Sequence, residues 1–341
     1  MPAISAAEDT RQLVTVGVVS DVRPIPDADA IEVITVRGWH VVTRIGEFHP
    51  GDKCLYFEID SMLPMSDSRF TFLAERGTRE VDGRTYHRLK TARLRGVYSQ
   101  GLVMPLSDFA EIDETGNIAE CLGVIKYELP LSLQGGSIAG PFPVNLGRKT
   151  DSERIQNLVD AWDTIKSFGP WVATEKIDGT SCSVFSDAEG ILHVCGRNYE
   201  ISEGDNLYWN AVRANQVDKM LHPGEGVQFE IYGNGVQRNP LAVSGVRIAV
   251  FGFTRDQMYV PRDQWPTELL AHAVPVYTGL DLPDSVEESI EQVERLDSLI
   301  NPNKQAEGIV WHQVDAKVIP ELDHRNTFKV LSNRYLLKHE Q

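Results

Sequence analysis

Long hydrophobic runs, paired cysteines and an excess of positive charge are all missing from this chain of 341 residues. No stretch approaches the roughly eighteen apolar residues that a membrane-spanning helix needs, so we expect no membrane partner. The first ten residues contain neither a basic region nor an apolar segment, so we expect no secretion signal. The four cysteines lie far apart and lack zinc-site spacing, which predicts reduced thiols in a cytoplasmic protein.

Negative charge dominates the composition, with a formal net charge of −16. This charge argues against a protein that coats nucleic acid nonspecifically, but it leaves room for a small basic footprint. Such a segment lies at 76–95, which contains seven Lys or Arg residues with Tyr86 and His87 between them. The segment is either a solvated charged hairpin or a contact surface for nucleic acid, and spacing alone does not decide between them.

The first third of the chain is predicted to be all β. Short β-branched runs at 13–19, 31–36, 39–45 and 54–59 alternate with turn signals such as the Pro-Gly-Asp that ends at residue 52. Strands at this spacing predict a small barrel or sandwich, of which the oligonucleotide-binding (OB) barrel is the common form. We therefore place an OB-like domain at 1–105 and, because the pattern then loosens, a linker or interdomain arm at 106–149.

The remainder, residues 150–341, is predicted to be an α+β domain of mostly antiparallel sheets. Thr150 and Glu153 have capping-box spacing, and an apolar stripe from Ile155 to Ile165 predicts a helix directly after them. Two more amphipathic helices are predicted near 206–220 and 284–300. Strands are predicted near 171–176, 181–186, 191–195, 226–232, 246–253, 308–312 and 327–331.

Lys176 is the strongest candidate for a catalytic residue. It lies in a Lys-x-Asp-Gly sequence at the end of an apolar strand and directly before a glycine turn. Burial at a strand end favours the neutral amine, which is the nucleophilic form. The alternative is an ordinary surface lysine beside a turn.

Other charged and aromatic residues follow Lys176 in or beside short apolar runs. Asp178, Glu230 and Glu307 together would suit a hydrated Mg²⁺ or Mn²⁺, although each alone fits a solvent-facing strand residue. Arg197 and Lys329 could contact nucleotide phosphate or ribose oxygens, or could be surface ion-pair partners. Phe251 lies in a buried apolar run, where a core residue is the usual case and a base-stacking platform the alternative.

The order of these sequences resembles the covalent nucleotidyltransferases, which include ATP-dependent polynucleotide ligases and mRNA-capping guanylyltransferases. The matching blocks are Lys-x-Asp-Gly at 176–179, Gly-Arg at 196–197, Glu-x-x-Gly at 230–233, Glu-Gly-x-Val at 307–310 and the lysine strand at 328–332. The chain looks most like Deinococcus-type RNA ligases, which carry an N-terminal OB domain. The resemblance implies a nucleotidyltransferase (ATP-grasp-like ligase) domain of antiparallel sheets flanked by helices.

What the resemblance implies is an ATP-dependent RNA ligase acting in RNA repair. Lys176 would attack the ATP α-phosphate, AMP would pass to a 5′-phosphate end, and a 3′-hydroxyl on an RNA strand would displace it at a nicked duplex. Asp178, Glu230 and Glu307 would hold Mg²⁺ or Mn²⁺. The nucleotide would contact Glu175, Ser181, Arg197, Glu230, Phe251, Lys329 and Arg154.

Two departures from the family pattern bear on the site. Leu331 occupies the position of a second lysine in the last block, and Lys317 could supply that charge from a neighbouring strand. Gly252 follows Phe251 where relatives often have aspartate.

A DNA ligase, a capping-type guanylyltransferase and a non-catalytic OB-fold nucleic-acid-binding protein remain alternatives. Only 12 residues follow Lys329, too few for the C-terminal barrel of DNA ligases and capping enzymes. The template strand, DNA or RNA, and the oligomeric state stay open.

Overall fold

The computed structural model describes residues 12–128, 136–322 and 325–339, which divide into two compact units. The N-terminal unit contains the described residues up to 128, together with 156–160 and 336–339. The C-terminal unit contains 136–155, 161–322 and 325–335. Within these described ranges, no helix is both long enough and apolar enough to cross a membrane.

The N-terminal unit is built mainly from short antiparallel strands. They are β1 (Val14–Pro24), β2 (Ile31–Val36), β3 (Trp39–Arg44), β4 (Lys53–Phe57), β5 (Ser61–Pro64), β6 (Arg79–Val81), β7 (Arg84–Arg88), β8 (Thr91–Leu94), β9 (Val97–Gln100), β10 (Leu102–Pro105) and β11 (Ile125–Lys126), with a helix α1 (Ile118–Cys121). One sheet has the order β10-β4-β1-β2-β3, a second has the order β11-β5-β7-β6, and β8 pairs with β9. The four strands predicted from β-branched runs are confirmed.

Residues that follow the last strand of the large sheet complete the core of this unit. The Phe109 ring lies 5.9 Å from the Phe57 ring, and Phe70 packs edge-on against Phe57 at 5.4 Å. Ile118 of α1 and Leu122 are buried in the same cluster. The segment 106–128 is therefore part of the N-terminal unit, which corrects the predicted linker at 106–149. Gly135 of that linker lies outside the described residues.

The C-terminal unit is an α+β fold. Its strands are β12 (Ile138–Pro141), β13 (Glu153–Arg154), β14 (Trp171–Lys176), β15 (Thr180–Ser186), β16 (Leu192–Cys195), β17 (Tyr199–Ile201), β18 (Glu225–Gly233), β19 (Val246–Arg255), β20 (Met258–Tyr259), β21 (Gly308–Gln313) and β22 (Thr327–Leu331). The helices are α2 (Trp162–Ser167), α3 (Leu207–Ala214), α4 (Thr267–Leu270), α5 (Val286–Val293) and α6 (Asn333–His339). Helix α6 begins in this unit, and its residues after 335 are assigned to the N-terminal unit.

Two sheets form the framework of this unit. The larger has the order β12-β17-β16-β15-β18-β19-β20, and the smaller has the order β13-β22-β21-β14. Helix α3, capped by the Asn206 side chain, packs its apolar face against the larger sheet. Trp162 and Trp171 pack edge-on against Phe328 of the smaller sheet at 5.5 and 5.1 Å. The strands predicted for this part of the chain are confirmed, whereas α5 ends at Val293, before the predicted residue 300.

The prediction that a helix begins at Thr150 is wrong for the first part of that segment. Glu153 and Arg154 instead form β13, which pairs in parallel with Phe328 and Lys329 of β22. A 3-10 helix follows at Ile155–Ala161, and α-helix begins only at Trp162. The Thr150 hydroxyl contacts a side chain of the larger sheet, so it does not cap a helix. Pairing with a distant strand therefore outcompetes the local capping signal.

Candidate active site

One face of the smaller sheet carries the basic residues of the candidate site. Lys329 pairs with Arg154 on one side and with Val310 on the other. Val310 pairs in turn with Thr174, two residues before Lys176. Paired residues share a face of a sheet, and so do residues two apart on one strand. Lys176, Lys329 and Arg154 are therefore on the same face.

The Lys176 amine is in direct contact with the Glu307 carboxylate. Its Nζ lies 2.7 Å from Oε1 and 2.8 Å from Oε2, and the lysine side chain is 27% exposed. Burial alone would lower the pKa of Lys176, but Glu307, with contributions from Glu230 and Asp178, more than offsets burial and raises this pKa. The expectation of a neutral amine in the free protein is wrong, because the lysine is held as an ammonium ion.

Two of the carboxylates around this amine are destabilised in their charged form. Glu230 lies on β18 between Ser181 of β15 and Ala249 of β19. Burial raises the pKa of Glu230 to about 8, with Lys176 opposing this shift and Glu307 adding to it. Burial likewise raises the pKa of Glu307, against the influence of Lys176. Both shifts favour the neutral acid forms of these side chains in the absence of a cation.

Asp178 is held by a residue that the sequence did not single out. The Tyr335 hydroxyl donates a 2.8 Å hydrogen bond to Asp178 Oδ2. Tyr335 is only 4% exposed, and its burial raises the pKa of the phenol, so the hydroxyl keeps its proton and remains a donor. No spacing rule connects a tyrosine to an aspartate 157 positions earlier, so only the fold reveals the pair.

Several glycines of the matched blocks are required for close packing, among them Gly179 and Gly308. A Cβ on Gly179 would lie 2.2 Å from the Ile231 carbonyl oxygen and 3.0 Å from Glu230 Cγ. A Cβ on Gly308 would lie 2.2 Å from the Val330 carbonyl oxygen. Such distances are impossible for real Cβ atoms, so only glycine lets the turn after Lys176 lie against β18.

Ser181 and Arg197, both predicted to contact the nucleotide, are held by consecutive residues of one segment. The Thr150 Oγ1 and Ser181 Oγ atoms are 2.8 Å apart. Arg197 Nη2 lies 2.7 and 2.6 Å from the two Asp151 carboxylate oxygens, and its Nε lies 3.2 Å from Oδ2. Sequence reasoning missed Asp151, because it interpreted this segment as the start of a helix.

Phe251 is the extra residue of a β-bulge. Gln228 pairs with Gly252 and Phe229 pairs with Val250, so Phe251 has no partner on β18. A bulge redirects a side chain and is frequent beside active sites. Phe251 is only partly buried and packs on the cluster that contains Ile177, the residue after Lys176. Gly252, which stands where relatives often have aspartate, therefore lies directly beside the bulge.

Glu175 lies next to Lys176, but its carboxylate is almost completely buried, at 1% exposure. One oxygen, Oε2, accepts hydrogen bonds from the backbone N–H groups of Leu299 and Ile300, at 2.8 and 3.3 Å. The other, Oε1, has no hydrogen-bond partner among the residues the structure describes. Burial raises the pKa of Glu175, although hydrogen bonding by the Ser298 side chain and by the two backbone N–H groups opposes the shift. An orphaned buried acceptor of this kind fits an amino group of a ligand.

Lys317 does not replace the missing second lysine. It follows the far end of β21, where its backbone N–H donates to Gln313, whereas Lys176 pairs with Gly308 at the near end. Those two ends are about 16 Å apart at roughly 3.3 Å per residue. The Lys317 side chain is 60% exposed and pairs with Asp315. Arg154, beside Lys329, is the second cation that the fold places on the site face.

Asp178, Glu230 and Glu307 all surround the Lys176 amine, and a bound divalent cation would favour their ionised forms. Within residues 12–128, 136–322 and 325–339, however, no three His, Cys, Asp or Glu side chains converge closely enough to hold a metal ion directly. Mg²⁺ commonly keeps several of its waters and binds carboxylates through them.

Comparisons with known proteins identify the family of both domains. An OB-fold domain model matches residues 13–106, and an RNA ligase family model matches residues 169–331. A comparison with curated protein sequences gives no match. Solved structures of the Naegleria gruberi RNA ligase match over nearly the full chain.

An Asp-to-Ala variant of that ligase, without ligand, is 32% identical with a TM-score of 0.85 and covers 97% of this chain and 98% of its own. A Lys-to-Met variant with AMP and Mn is 32% identical, has a TM-score of 0.86, and covers 97% of this chain and 99% of its own. An Arg-to-Ala variant with ATP and Mn has the same identity and coverage and a TM-score of 0.84. The chain therefore belongs to the RNA ligase family, with an OB-fold domain followed by an RNA ligase nucleotidyltransferase domain.

Proposed function

We propose that this RNA ligase uses ATP to seal nicks between a 3′-hydroxyl RNA end and a 5′-phosphate end, as a Deinococcus-type enzyme of RNA repair. The observation that carries the proposal is the position of the Lys176 amine, in contact with Glu307 and on the same sheet face as Lys329 and Arg154. All four cysteines are free, which fits a reducing, cytoplasmic location.

The first step joins Lys176 to the nucleotide. The ammonium group loses a proton, for which Glu307 is the acceptor in contact at 2.7 and 2.8 Å. The amine nitrogen then bonds to the α-phosphorus and releases a second proton to solvent, while the bond to the bridging oxygen breaks and pyrophosphate leaves with the electron pair. The product is lysyl-AMP.

The next two steps return the amine and form the new bond. A 5′-phosphate oxygen attacks the phosphorus of lysyl-AMP, the N–P bond breaks, and the Lys176 nitrogen regains protons. The 3′-hydroxyl then attacks the phosphorus of the adenylylated end and loses its proton, and AMP leaves. Each step spreads charge over phosphoryl oxygens, so neutralisation by Lys329 and Arg154 would supply much of the catalysis.

The nucleotide and cation assignments rest on the surroundings of Lys176. Structures of the Naegleria gruberi RNA ligase were solved with ATP and Mn and with AMP and Mn, which supports Mg²⁺ or Mn²⁺ with ATP here. Asp178, Glu230 and Glu307 would hold the cation through its waters. A bound cation supplies positive charge that favours the neutral lysine and offsets the charge of the triphosphate.

The base and the ribose are assigned to residues that lie near Lys176 and Ile177. Phe251, redirected by its bulge, would stack on adenine, and Ser181 and Arg197 would contact the ribose. The buried Glu175 Oε1 would accept a hydrogen bond from the adenine 6-amino group. Guanine carries an acceptor oxygen at that position, so a buried carboxylate favours ATP over GTP as the donor.

Nick sealing with matched ends tests this function directly. We expect ATP with Mg²⁺ or Mn²⁺ to seal a nick with an RNA 3′-hydroxyl strand at least about tenfold faster than one with a DNA 3′-hydroxyl strand. GTP should be a donor at least about tenfold worse than ATP, because Glu175 would be left facing an acceptor. Each nick is assayed on a DNA and on an RNA template by gel electrophoresis, which also identifies the preferred template.

Other outcomes of this assay would identify the competing functions. Equal sealing of RNA and DNA ends would favour a DNA ligase. Covalent labelling by GTP in preference to ATP would favour a guanylyltransferase. Binding of nicked RNA without covalent labelling by any nucleotide would show a non-catalytic OB-fold protein.

The OB-fold domain presents arginines that would contact the substrate duplex. Arg79 and Arg84 lie on the hairpin β6–β7, where the register pairs them with Tyr86 and Val81, so both side chains are on one face. Both are exposed. Arg88, in the same basic segment, is instead held by Asp60 at 2.6 Å with only 10% exposure. We therefore assign contact with phosphates to Arg79 and Arg84 and a structural role to Arg88.

The double variant Arg79→Ala/Arg84→Ala is expected to bind nicked RNA more weakly and with less salt dependence. Loss of two phosphate contacts reduces the slope of log K against log salt by about 1 to 2. Fluorescence anisotropy at four salt concentrations measures this slope, and covalent labelling by ATP should stay at the wild-type rate. Arg295→Ala, which removes an arginine with 79% exposure just after the end of α5, is the control. An unchanged affinity and slope would assign the hairpin a structural role.

A further inference from the structure

A short segment crosses from one sheet of the C-terminal unit to the other beside the candidate site. We call residues 148–154 the strap. On the larger sheet, the Arg148 carbonyl accepts a 2.7 Å hydrogen bond from Gln228 Nε2. Lys149 Nζ then donates to Asn198 Oδ1 at 3.1 Å. Thr150 and Asp151 contact Ser181 and Arg197 through the bonds already described.

The rest of the strap is attached to the smaller sheet. Ser152 Oγ lies 2.8 Å from Thr327 Oγ1, the first residue of β22. Glu153 and Arg154 continue as β13 in parallel register with Phe328 and Lys329. Seven consecutive residues therefore connect the sheet that carries Ser181, Glu230 and Arg197 to the sheet that carries Lys176 and Lys329.

We propose that Asp151 is a positioning residue that fixes the Arg197 guanidinium relative to the lysines of the smaller sheet. The inference rests on the proposed function, in which Arg197 contacts the nucleotide. A guanidinium on a long flexible side chain loses little further freedom on binding a ligand when a carboxylate already holds it in a fork-to-fork pair. Asp151 is the last residue of the strap on the larger sheet, directly before its attachment to β22.

Charge excludes the simplest alternative role for Asp151. A carboxylate in direct contact with a triphosphate or an RNA phosphate would repel it, so Asp151 is placed to act through Arg197 rather than on phosphate. The pair is partly shielded from solvent, with side-chain exposures of 41% for Arg197 and 26% for Asp151. The effect of losing it should therefore be moderate, and it should appear in nucleotide binding rather than in the chemical step.

A double-mutant cycle tests this role with two separate kinetic constants. Asp151→Ala, Arg197→Ala and the double variant are compared for covalent labelling by α-labelled ATP over a range of ATP concentrations. We expect Asp151→Ala to raise KM for ATP about 3- to 10-fold with kcat changed less than about twofold. In the Arg197→Ala background the same change should have almost no further effect, because Asp151 acts through Arg197.

A matched pair elsewhere serves as the control. Glu203→Ala removes the carboxylate that holds Arg213 at 2.7 Å, a pair with exposures of 69% and 45% on the same unit. It should leave KM and kcat for ATP unchanged. Asp151→Asn, which keeps one acceptor oxygen, should give a KM between those of the wild type and Asp151→Ala.

The outcomes separate the inference from the proposed function. If Arg197→Ala leaves KM and sealing unchanged, the role of Arg197 in the proposed function fails. If Arg197→Ala raises KM but Asp151→Ala does not, only the positioning role of Asp151 fails. Additive losses in the double variant would mean that Asp151 contacts the nucleotide or stabilises the fold independently, which would also overturn the inference.

Discussion

Lys176→Ala is expected to lose covalent labelling by α-labelled ATP, by at least about a thousandfold. The reason is chemical, since the Lys176 amine is the group in contact with Glu307 at 2.7 and 2.8 Å, and alanine offers no nucleophile. Labelling followed by denaturing gel electrophoresis measures the loss. Lys219→Ala is the matched control, because this exposed lysine lies in the same unit on the 3-10 helix Val217–Lys219. It should label like the wild type.

A second measurement shows whether the Lys176 variant remains folded. The third step, attack of the 3′-hydroxyl on an adenylylated end, makes no bond to the lysine, so Lys176→Ala should still seal a chemically adenylylated RNA nick at a measurable rate. Loss of labelling with retained sealing of that substrate would confirm the role of Lys176 as the nucleophile. Labelling of the variant at the wild-type level would remove Lys176 from the mechanism.

The parts of the fold that the sequence predicted are those in which local pattern and tertiary environment agree. β14, β15, β18, β19, β21 and β22 each combine β-branched residues with burial, so they were found within one or two residues. Lys176, Glu230 and Glu307 could be ordered along these strands because they precede or interrupt apolar runs. The approach of Lys176 to Glu307 follows from the pairing of β14 with β21. This contact spans more than 130 positions, and the resemblance implied it whereas no local pattern did.

The parts that failed are those decided by long-range contacts. Thr150 and Glu153 have the spacing of a helix cap, but hydrogen bonds to Ser181 and pairing with β22 determine the structure there. Asp151 therefore went unrecognised. The bulge at Phe251 depends on how β18 and β19 align, which alternation along one strand does not reveal. The predicted neutral state of Lys176 was wrong for the same reason. The sequence indicated that the lysine is buried, but it did not show how closely the carboxylates surround the amine and raise its pKa.

Gly179→Ala is expected to damage the site severely, because the glycine directly follows Asp178 and packs against β18. Its Cβ would lie 2.2 Å from the Ile231 carbonyl oxygen, and backbone atoms of a central strand cannot move aside cheaply. The turn would have to shift away from β18, carrying Asp178 away from Glu230. A displacement of about 1 Å can cost on the order of 100-fold in rate, and the overpacking should cost about 1–3 kcal/mol of unfolding free energy. Labelling kinetics and thermal unfolding measure the two effects.

Gly140→Ala separates the steric effect from the general effect of replacing glycine. Gly140 lies on β12 of the same unit, has no heavy atom within 4 Å of its added Cβ, and is not in the left-handed region, so alanine fits. It should change the unfolding free energy by no more than about 0.5–1 kcal/mol, in the stabilising direction, because the unfolded chain loses freedom. Normal labelling by Gly179→Ala would show that the turn after Lys176 can move without consequence, which would contradict a preorganised site. Equal losses of labelling in Gly140→Ala and Gly179→Ala would mean that reduced backbone freedom causes the defect. The contact with Ile231 instead predicts a loss of labelling in Gly179→Ala alone.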